Sequence, residues 1–164
     1  MQSAYYADKI PQYIRDLAEG KRQLKTTYEI RKIICDLIKK YDCKFVMAHN
    51  ARFDYRACNN IQRYMTKSKY RYFFPRGIEI WDTLQMARDV IAKMPTFIQF
   101  CEENDFMTKH KKPQPQLTAE VIYRFISGDL EFAESHTGLE DVNIELEIYK
   151  YCKKQHKSMR TKLF

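Results

Sequence analysis

Three residues of the sequence combine reactive side chains with positions that suit chemistry: Asp54, His136 and Asp141. Asp54 follows a short apolar run and lies at the start of a helical pattern, where a predicted strand gives way to a helix. This position suits a functional carboxylate, because the strand end fixes the backbone and the helix start opens into a cleft. The helix dipole also favours negative charge there. The alternative is that Asp54 is only a first-turn acid.

His136 and Asp141 lie five residues apart, the histidine on a predicted loop and the aspartate in the first turn of the last predicted helix. One side chain could act as a base and the other as a metal ligand. A pair with this spacing also arises by chance in chains of this length, so the spacing alone does not decide between function and coincidence.

The elements that must position Asp54 are a strand and the helix after it. The apolar run Phe45–Ala48 predicts a buried strand, and residues 49–51 break it. Phe53 then opens a helical pattern whose apolar stripe includes Ala57, Ile61, Tyr64 and Met65.

A second strand is predicted at 78–83, where apolar and polar residues alternate. Asp82 ends this strand, and Asp82 or Thr83 can cap the helix that follows. Because a helix crosses between the two strands, we expect them to be adjacent and parallel.

Other helices are marked by their caps and apolar stripes. Thr26 and Glu29 have capping-box spacing before a stripe formed by Ile30, Ile33, Ile34, Leu37, Ile38 and Tyr41. The last helix is predicted at 139–152, with an inner side formed by Val142, Leu146 and Tyr149. The segment after it carries only basic charges and is expected to be solvated and frayed.

Composition predicts one domain with a polyanionic partner. The chain has 164 residues and a net charge of +8, which favours nucleic acid, although a basic domain without such a partner is the alternative. Residues 63–76 interleave Arg63, Lys67, Lys69 and Arg71 with aromatic rings. Rings can stack on bases while cations meet phosphates; the alternative is tyrosines packed on the core. A basic loop at 107–116 could also touch phosphates.

Five scattered cysteines form no CxxC pair and suggest neither a zinc site nor a disulfide framework. Reduced thiols in a cytoplasmic protein are the simplest interpretation. No run is long enough to cross a bilayer, and we see no signal peptide at the start.

Three motifs together resemble the DEDDh exonucleases, the DnaQ-like proofreading and phage nucleases with a ribonuclease-H-like fold. They are A-H-N-A-R-F-D at 48–54, W-D-T-L-Q-M-A-R at 81–88 and H-T-G-L-E-D at 136–141. The run L-T-A-E-V-I-Y-R-F-I at 117–126 is also similar to phage and polymerase-associated members. The resemblance implies a helix-rich α/β fold and hydrolysis of the 3′-terminal phosphodiester of nucleic acid.

The resemblance also implies roles for individual residues. Asp54 and Asp141 match metal-binding carboxylates, and His136 matches the base that takes a proton from the attacking water. Two divalent cations, Mg²⁺ or Mn²⁺, fit this chemistry because hard cations prefer carboxylate oxygens. Asp82 matches a position expected to orient the backbone or cap a helix. The substrate contacts are expected from His49, Asn50, Phe53, Arg63, Lys67, Lys69 and Arg71.

One motif of the family is missing. D-x-E, expected on a strand before Asn50, occurs only at 129–131, where it is expected to start a short helix. The first three strands of the fold are therefore expected to be absent from residues 1–164, which are interpreted as one partial domain with a basic tail from about residue 153. The bridging metal carboxylate would be missing with them.

Three interpretations follow from this departure. The chain is the C-terminal part of an exonuclease whose D-x-E strands come from elsewhere, or an inactive nucleic-acid-binding relative, or an interaction protein derived from the fold. Because the strand that would carry D-x-E is missing, we expect an open strand edge beside Phe45 and Val46. It would be completed by Tyr5 and Tyr6, by a second copy, or by a separate polypeptide. We also expect weak activity and concentration-dependent association of the chain alone.

Overall fold

A computed structural model describes residues 7, 9–66, 69–135 and 138–164. The predictions made for Tyr5, Tyr6, Lys67 and His136 lie outside this described part of the chain. The structure is mixed α/β and rich in helix.

The described residues form two short strands and a larger number of helices. The strands are β1 (Phe45–Ala48) and β2 (Glu79–Asp82). The helices are α1 (Ile10–Ala18), α2 (Thr27–Lys40), α3 (Ala51–Asn60), α4 (Thr83–Asp89), α5 (Pro95–Glu103), α6 (Ala119–Ser127) and α7 (Gly138–Lys154). A π-helical turn, Ile61–Met65, continues α3.

The two strands pair in parallel, as predicted. Phe45 lies opposite Glu79 and Ala48 lies opposite Asp82, so the carboxyl ends of both strands lie side by side. The Phe45 and Trp81 rings stack across the pair with centroids 3.8 Å apart. This pairing brings the residues that follow β1 next to the residues that follow β2.

The C-terminal segment pairs with the other edge of β2, so the prediction of a frayed tail is wrong. Asp82 N–H donates to the Thr161 carbonyl at 2.9 Å, and Leu163 N–H donates to the Ile80 carbonyl at 2.8 Å. Leu163 is only 8% exposed. The segment is ordered because it combines strand hydrogen bonds with an apolar anchor, which composition alone does not indicate.

The main core lies among α4, α5, α6 and α7, and it corrects the predicted face of α7. Ile144, Ile148 and Cys152 are buried there, whereas Val142 and Leu146 are 57% and 37% exposed. Tyr149 does pack against this core. The buried stripe is thus offset from the predicted one, because the contacts of α7 with α6 and α4 decide which face is covered.

Helix α2 has the predicted cap but not a buried face. Glu29 N–H donates to Thr26 Oγ1 at 3.2 Å, and Thr26 N–H donates to Glu29 Oε2 at 2.8 Å. No residue of the helix is buried, and Ile30, Ile33 and Leu37 are each more than 40% exposed. The apolar stripe is therefore left largely uncovered by the part of the chain that the structure describes.

Two other predictions need correction. The stripe predicted on the Asp54 helix is not a buried face, because Phe53 and Tyr64 are 69% and 80% exposed and the helix starts at Ala51. The D-x-E sequence at 129–131 forms an exposed turn after Gly128 instead of starting a short helix. Gly128 ends α6 in the left-handed conformation, which favours a turn there.

Candidate functional site

The turn between β1 and α3 is fixed by two carboxylates, the buried Asp82 and the half-buried Glu145. Asn50 adopts a left-handed conformation with φ of 63°, which asparagine tolerates better than most residues. Asp82 Oδ1 accepts hydrogen bonds from the Asn50 and Leu84 N–H groups, both at 3.0 Å. Asp82 thus orients the backbone and caps α4, as expected. Glu145 Oε1 accepts the neighbouring His49 N–H at 2.9 Å.

The His49 ring is held inside the fold. Its Nε2 lies 2.7 Å from the Leu117 carbonyl, and its Nδ1 lies 3.0 Å from Thr83 Oγ1. Since a carbonyl can only accept, Nε2 carries the proton and Nδ1 accepts from the Thr83 hydroxyl. Burial lowers the pKa of His49 and so disfavours the charged form of the ring. These contacts give it a structural role, and its contact with substrate stays a prediction.

Asp54 and Asp141 line one cavity of about 310 Å³ beside β1, together with Glu145. We call this cavity the acidic cleft. Asp54 comes from the first turn of α3, Asp141 comes from the first turn of α7, and Glu145 follows Asp141 by four residues on the same helix. The remaining lining residues are mostly apolar: Val46, Met47, Ala48, Ala51, Tyr55, Phe74, Ile80, Gly138 and Val142. Two predicted site residues therefore meet, while the third, His136, lies outside the described residues.

The cleft is electrostatically unfavourable for a third negative charge. Burial raises the pKa of Glu145 to about 7, and the negative charges of Asp54, Asp141 and Glu134 add to this effect. The hydrogen bond from His49 N–H opposes it. Burial also raises the pKa of Asp54, with a contribution from Asp82. Glu145 therefore titrates close to neutral pH.

Asp141 has an unusual buried oxygen. Its Oδ1 is inaccessible to solvent and has no hydrogen-bond partner among the described residues. A buried carboxylate oxygen without a donor is costly. The carboxylate is thus a candidate to bind a group that this part of the chain does not provide.

The described residues do not fit a metal ion by themselves. Nowhere in residues 7, 9–66, 69–135 and 138–164 do three or more His, Cys, Asp or Glu side chains form a group that could hold one. Asp54, Asp141 and Glu145 share the cleft but do not form a ligand set. Further donors would be needed before this cleft could bind the divalent cations implied by the sequence.

Sequence reasoning missed Glu145. The signal was present, because Glu145 follows Asp141 by four residues and side chains with this spacing lie on the same face of a helix. Its importance depends on the His49 N–H and on the carboxylates across the cleft. Neither neighbour is apparent from spacing alone.

The predicted basic aromatic segment forms an open cavity of about 560 Å³, lined by Arg63, Tyr64, Lys69, Tyr70, Arg71 and Tyr72. We call this the basic aromatic cavity. Tyr64, Tyr70 and Tyr72 are 80%, 53% and 56% exposed, so they are not packed on the core. The Arg63 guanidinium lies 5.5 Å from the centre of the Tyr72 ring, and its Nε donates to the Arg71 carbonyl at 3.3 Å.

Asn50 and Phe53 line another open cavity, of about 450 Å³, together with Arg52, Arg56, Ala57 and Asn60. Phe53 is largely exposed within it. The two predicted substrate contacts thus lie on one surface with two arginines. Their binding role remains a prediction.

No family model, no curated protein and no solved structure matches this chain. Within the described part, no helix is both long enough and apolar enough to cross a membrane. The cleft and the surfaces around it are therefore the basis for assigning a function.

We expect Glu145→Gln to stabilise the protein above neutral pH by about 1–3 kcal/mol. The pKa of Glu145 rises from its ordinary 4.5 to about 7 on folding. Between these values the folded state binds more protons, so wild-type stability falls as pH rises through this range. Glutamine has no such proton to lose and can still accept from His49 N–H. Urea unfolding at pH 5 and pH 8 measures the difference, and an equal effect at both pH values would contradict this explanation.

Proposed function

We propose that this chain is the C-terminal part of a metal-dependent 3′–5′ exonuclease of the DEDDh type, with a ribonuclease-H-like fold. The observation that carries the proposal is that Asp54 and Asp141, from distant parts of the sequence, line one cleft beside the end of β1. The parallel strand pair and the orienting contacts of Asp82 also support it.

The substrate is single-stranded nucleic acid or a 3′ end. The basic aromatic cavity supports this, because exposed tyrosines beside Lys69 and Arg71 offer both stacking surfaces and phosphate contacts. Charge adds to the argument, since the chain carries a net charge of +8.

The cleft is completed by strands bearing D-x-E, from another polypeptide or another part of a longer chain. No strand in the described residues pairs with the free edge of β1, and Val46 of this strand lines the acidic cleft. The buried Asp141 oxygen, which has no donor within the described residues, also fits an incomplete site. Mg²⁺ or Mn²⁺ would bind Asp54 and Asp141 only with the added carboxylates. His136 is assigned as the base.

Completing the cleft is the decisive experiment. We expect the chain alone to be inactive or weak and to scatter light increasingly with concentration, because its apolar edge invites pairing. Adding a polypeptide with the first three strands of a DEDDh exonuclease should give Mn²⁺-dependent release of 3′ nucleotides from a single-stranded DNA and reduce the scattering.

The control is the same polypeptide with its D-x-E changed to N-x-Q. It should reduce light scattering without restoring hydrolysis. Hydrolysis by the chain alone would contradict the incomplete-site proposal, and the absence of hydrolysis in a stable, fully assembled complex would contradict the enzymatic one.

A second function, nucleic-acid binding without hydrolysis, is favoured by one observation: the described residues contain no group of side chains that could hold a metal. Assembly of a stable complex that binds DNA but does not cleave it would support this alternative. A cytoplasmic location goes with either function and is supported by five cysteines that form no disulfide.

Both functions require salt-sensitive binding. We expect the affinity for a single-stranded oligonucleotide to fall steeply between low and moderate salt, because each phosphate contact releases counterions. Fluorescence anisotropy at several salt concentrations measures this slope. A flat response, or no binding at low salt, would leave the basic aromatic cavity without its proposed role.

A further inference from the structure

A cavity of about 620 Å³ lies between the segment after the basic aromatic residues and the C-terminal segment. We call it the tail cavity. Its lining includes several aromatic rings and the cations Arg76 and Lys162. The lining residues are Tyr55, Tyr72, Phe74, Pro75, Arg76, Gly77, Ile78, Glu79, Ile80, Lys162 and Phe164. The volume is within the range of about 300–1,000 Å³ typical of small-molecule sites.

The aromatic rings of the tail cavity include surfaces that the fold leaves open. Phe164 is 76% exposed, and its ring meets the Tyr55 ring edge to face with centroids 5.1 Å apart. Tyr72 is 56% exposed. Phe164 is held in place by its neighbour Leu163, which is buried against Ile80. An exposed ring on an anchored segment is a preformed surface for stacking.

The charges around the tail cavity favour an anion. Arg76 is exposed and makes no salt bridge with any described residue. Glu79 is the acidic side chain of the lining, but it is paired, with Lys162 Nζ 2.5 Å from its Oε1 and Trp81 Nε1 donating to its Oε2 at 2.9 Å. The guanidinium of Arg76 is therefore available for a phosphate.

The tail cavity adjoins the two sites described above. Tyr72 lines both it and the basic aromatic cavity. Tyr55, Phe74 and Ile80 line both it and the acidic cleft. A strand of nucleic acid that follows these shared walls passes from the basic aromatic cavity, through the tail cavity, toward the acidic cleft.

We infer that the tail cavity binds one nucleotide of a single strand, with the base against Phe164 and its aromatic neighbours and the phosphate at Arg76. This inference rests on the proposed nucleic-acid function and specifies a site for it. Aromatic rings suit any base, because every base has a π-face, and a basic groove follows the phosphates. The occupant is a nucleotide, since a purely apolar ligand would leave Arg76 unused.

Two exposed side chains allow a test without loss of folding. With a single-stranded thymidine oligonucleotide, we expect Phe164→Ala to weaken binding roughly tenfold through lost stacking. Arg76→Gln should weaken binding and reduce the salt slope by about 1, as removal of one phosphate contact predicts. Arg15→Gln is the matched control, because Arg15 is exposed and lines none of the four cavities. It should leave the slope unchanged.

Photocrosslinking locates the base directly. An oligonucleotide with 5-iodouracil at each position in turn should crosslink to Tyr55, Tyr72, Phe74 or Phe164, as identified by mass spectrometry. This site alone would be overturned if the wild-type chain bound the oligonucleotide normally but gave none of these crosslinks, and if Phe164→Ala and Arg76→Gln bound it as tightly as the wild type. Failure of the wild-type chain to bind the oligonucleotide at all would overturn the proposed nucleic-acid function as well.

Discussion

Leu163→Ala is expected to lower the free energy of unfolding by about 2–3 kcal/mol, near the low end for a buried leucine. Leu163 is 8% exposed and forms a small core with Ala51 and Ile80. The substitution removes this apolar contact and leaves a void beside β2. The hydrogen bond from residue 163 N–H to Ile80 is kept, so packing is the quantity tested. Urea denaturation monitored by Trp81 fluorescence measures the change.

Phe164→Ala is the matched control. Phe164 is the next residue, but it is 76% exposed, and exposed substitutions usually change stability by no more than about 0.5 kcal/mol. Losses of the same size in both variants would contradict the explanation by burial, and no loss in either would mean that the tail contributes no packing. A frayed tail predicts the second result.

Arg160 gives the same segment a second anchor. Its Nε and one terminal nitrogen contact the Asp89 carboxylate at 2.9 and 3.0 Å, and its backbone N–H donates to the same group at 2.9 Å. These contacts lower the pKa of Asp89 from 3.8 to about 2. Because the folded-state value is depressed, their contribution is present above about pH 4 and is lost as pH falls through 2.

The sequence predicted the elements whose signals are local. The capping box at Thr26 depends only on Glu29 three residues later, and the strand at Phe45–Ala48 depends on a run of apolar residues bounded by breaks. The crossing helix makes parallel pairing with the second strand almost obligatory. These features do not depend on distant parts of the chain, so composition and spacing are sufficient.

The features that the sequence did not predict depend on contacts between distant segments. Val142 and Leu146 have helical spacing, and only the positions of α4 and α6 reveal that Ile144 and Ile148 face the core instead. The C-terminal segment has the composition of a solvated tail, and only the open edge of β2 explains its order. Edge pairing and helix rotation are properties of the assembled fold.

The candidate site shows the same division. Asp54 and Asp141 are predictable because each follows a motif at a helix start. Glu145 was missed because its effect comes from the His49 backbone and from carboxylates on other elements. A residue of a candidate site assembled from several segments is thus predictable where a local motif marks it. A residue whose role depends on contacts with distant segments, as that of Glu145 does, is not predictable in this way.

The largest effect on activity is expected from Asp54→Asn in the complex completed with D-x-E strands. We expect the rate of 3′-nucleotide release to fall by at least about 100-fold, because an amide oxygen is a much poorer ligand for a divalent cation than a carboxylate. Affinity for single-stranded DNA should change little, since the proposed phosphate contacts are at Arg71, Lys69 and their neighbours. Single-turnover hydrolysis and anisotropy, measured on the same preparation, separate the two quantities.

Asp129→Asn is the matched control for Asp54→Asn. Asp129 belongs to the one D-x-E sequence of the chain, but it lies in an exposed turn and lines none of the four cavities. Its substitution should leave hydrolysis unchanged. If Asp129→Asn abolished hydrolysis and Asp54→Asn did not, the carboxylates of the acidic cleft would have no catalytic role.

Asp54→Asn should also lower the pKa of Glu145, because the Asp54 charge is one of those that raise it. This shift reports on the geometry of the cleft independently of activity.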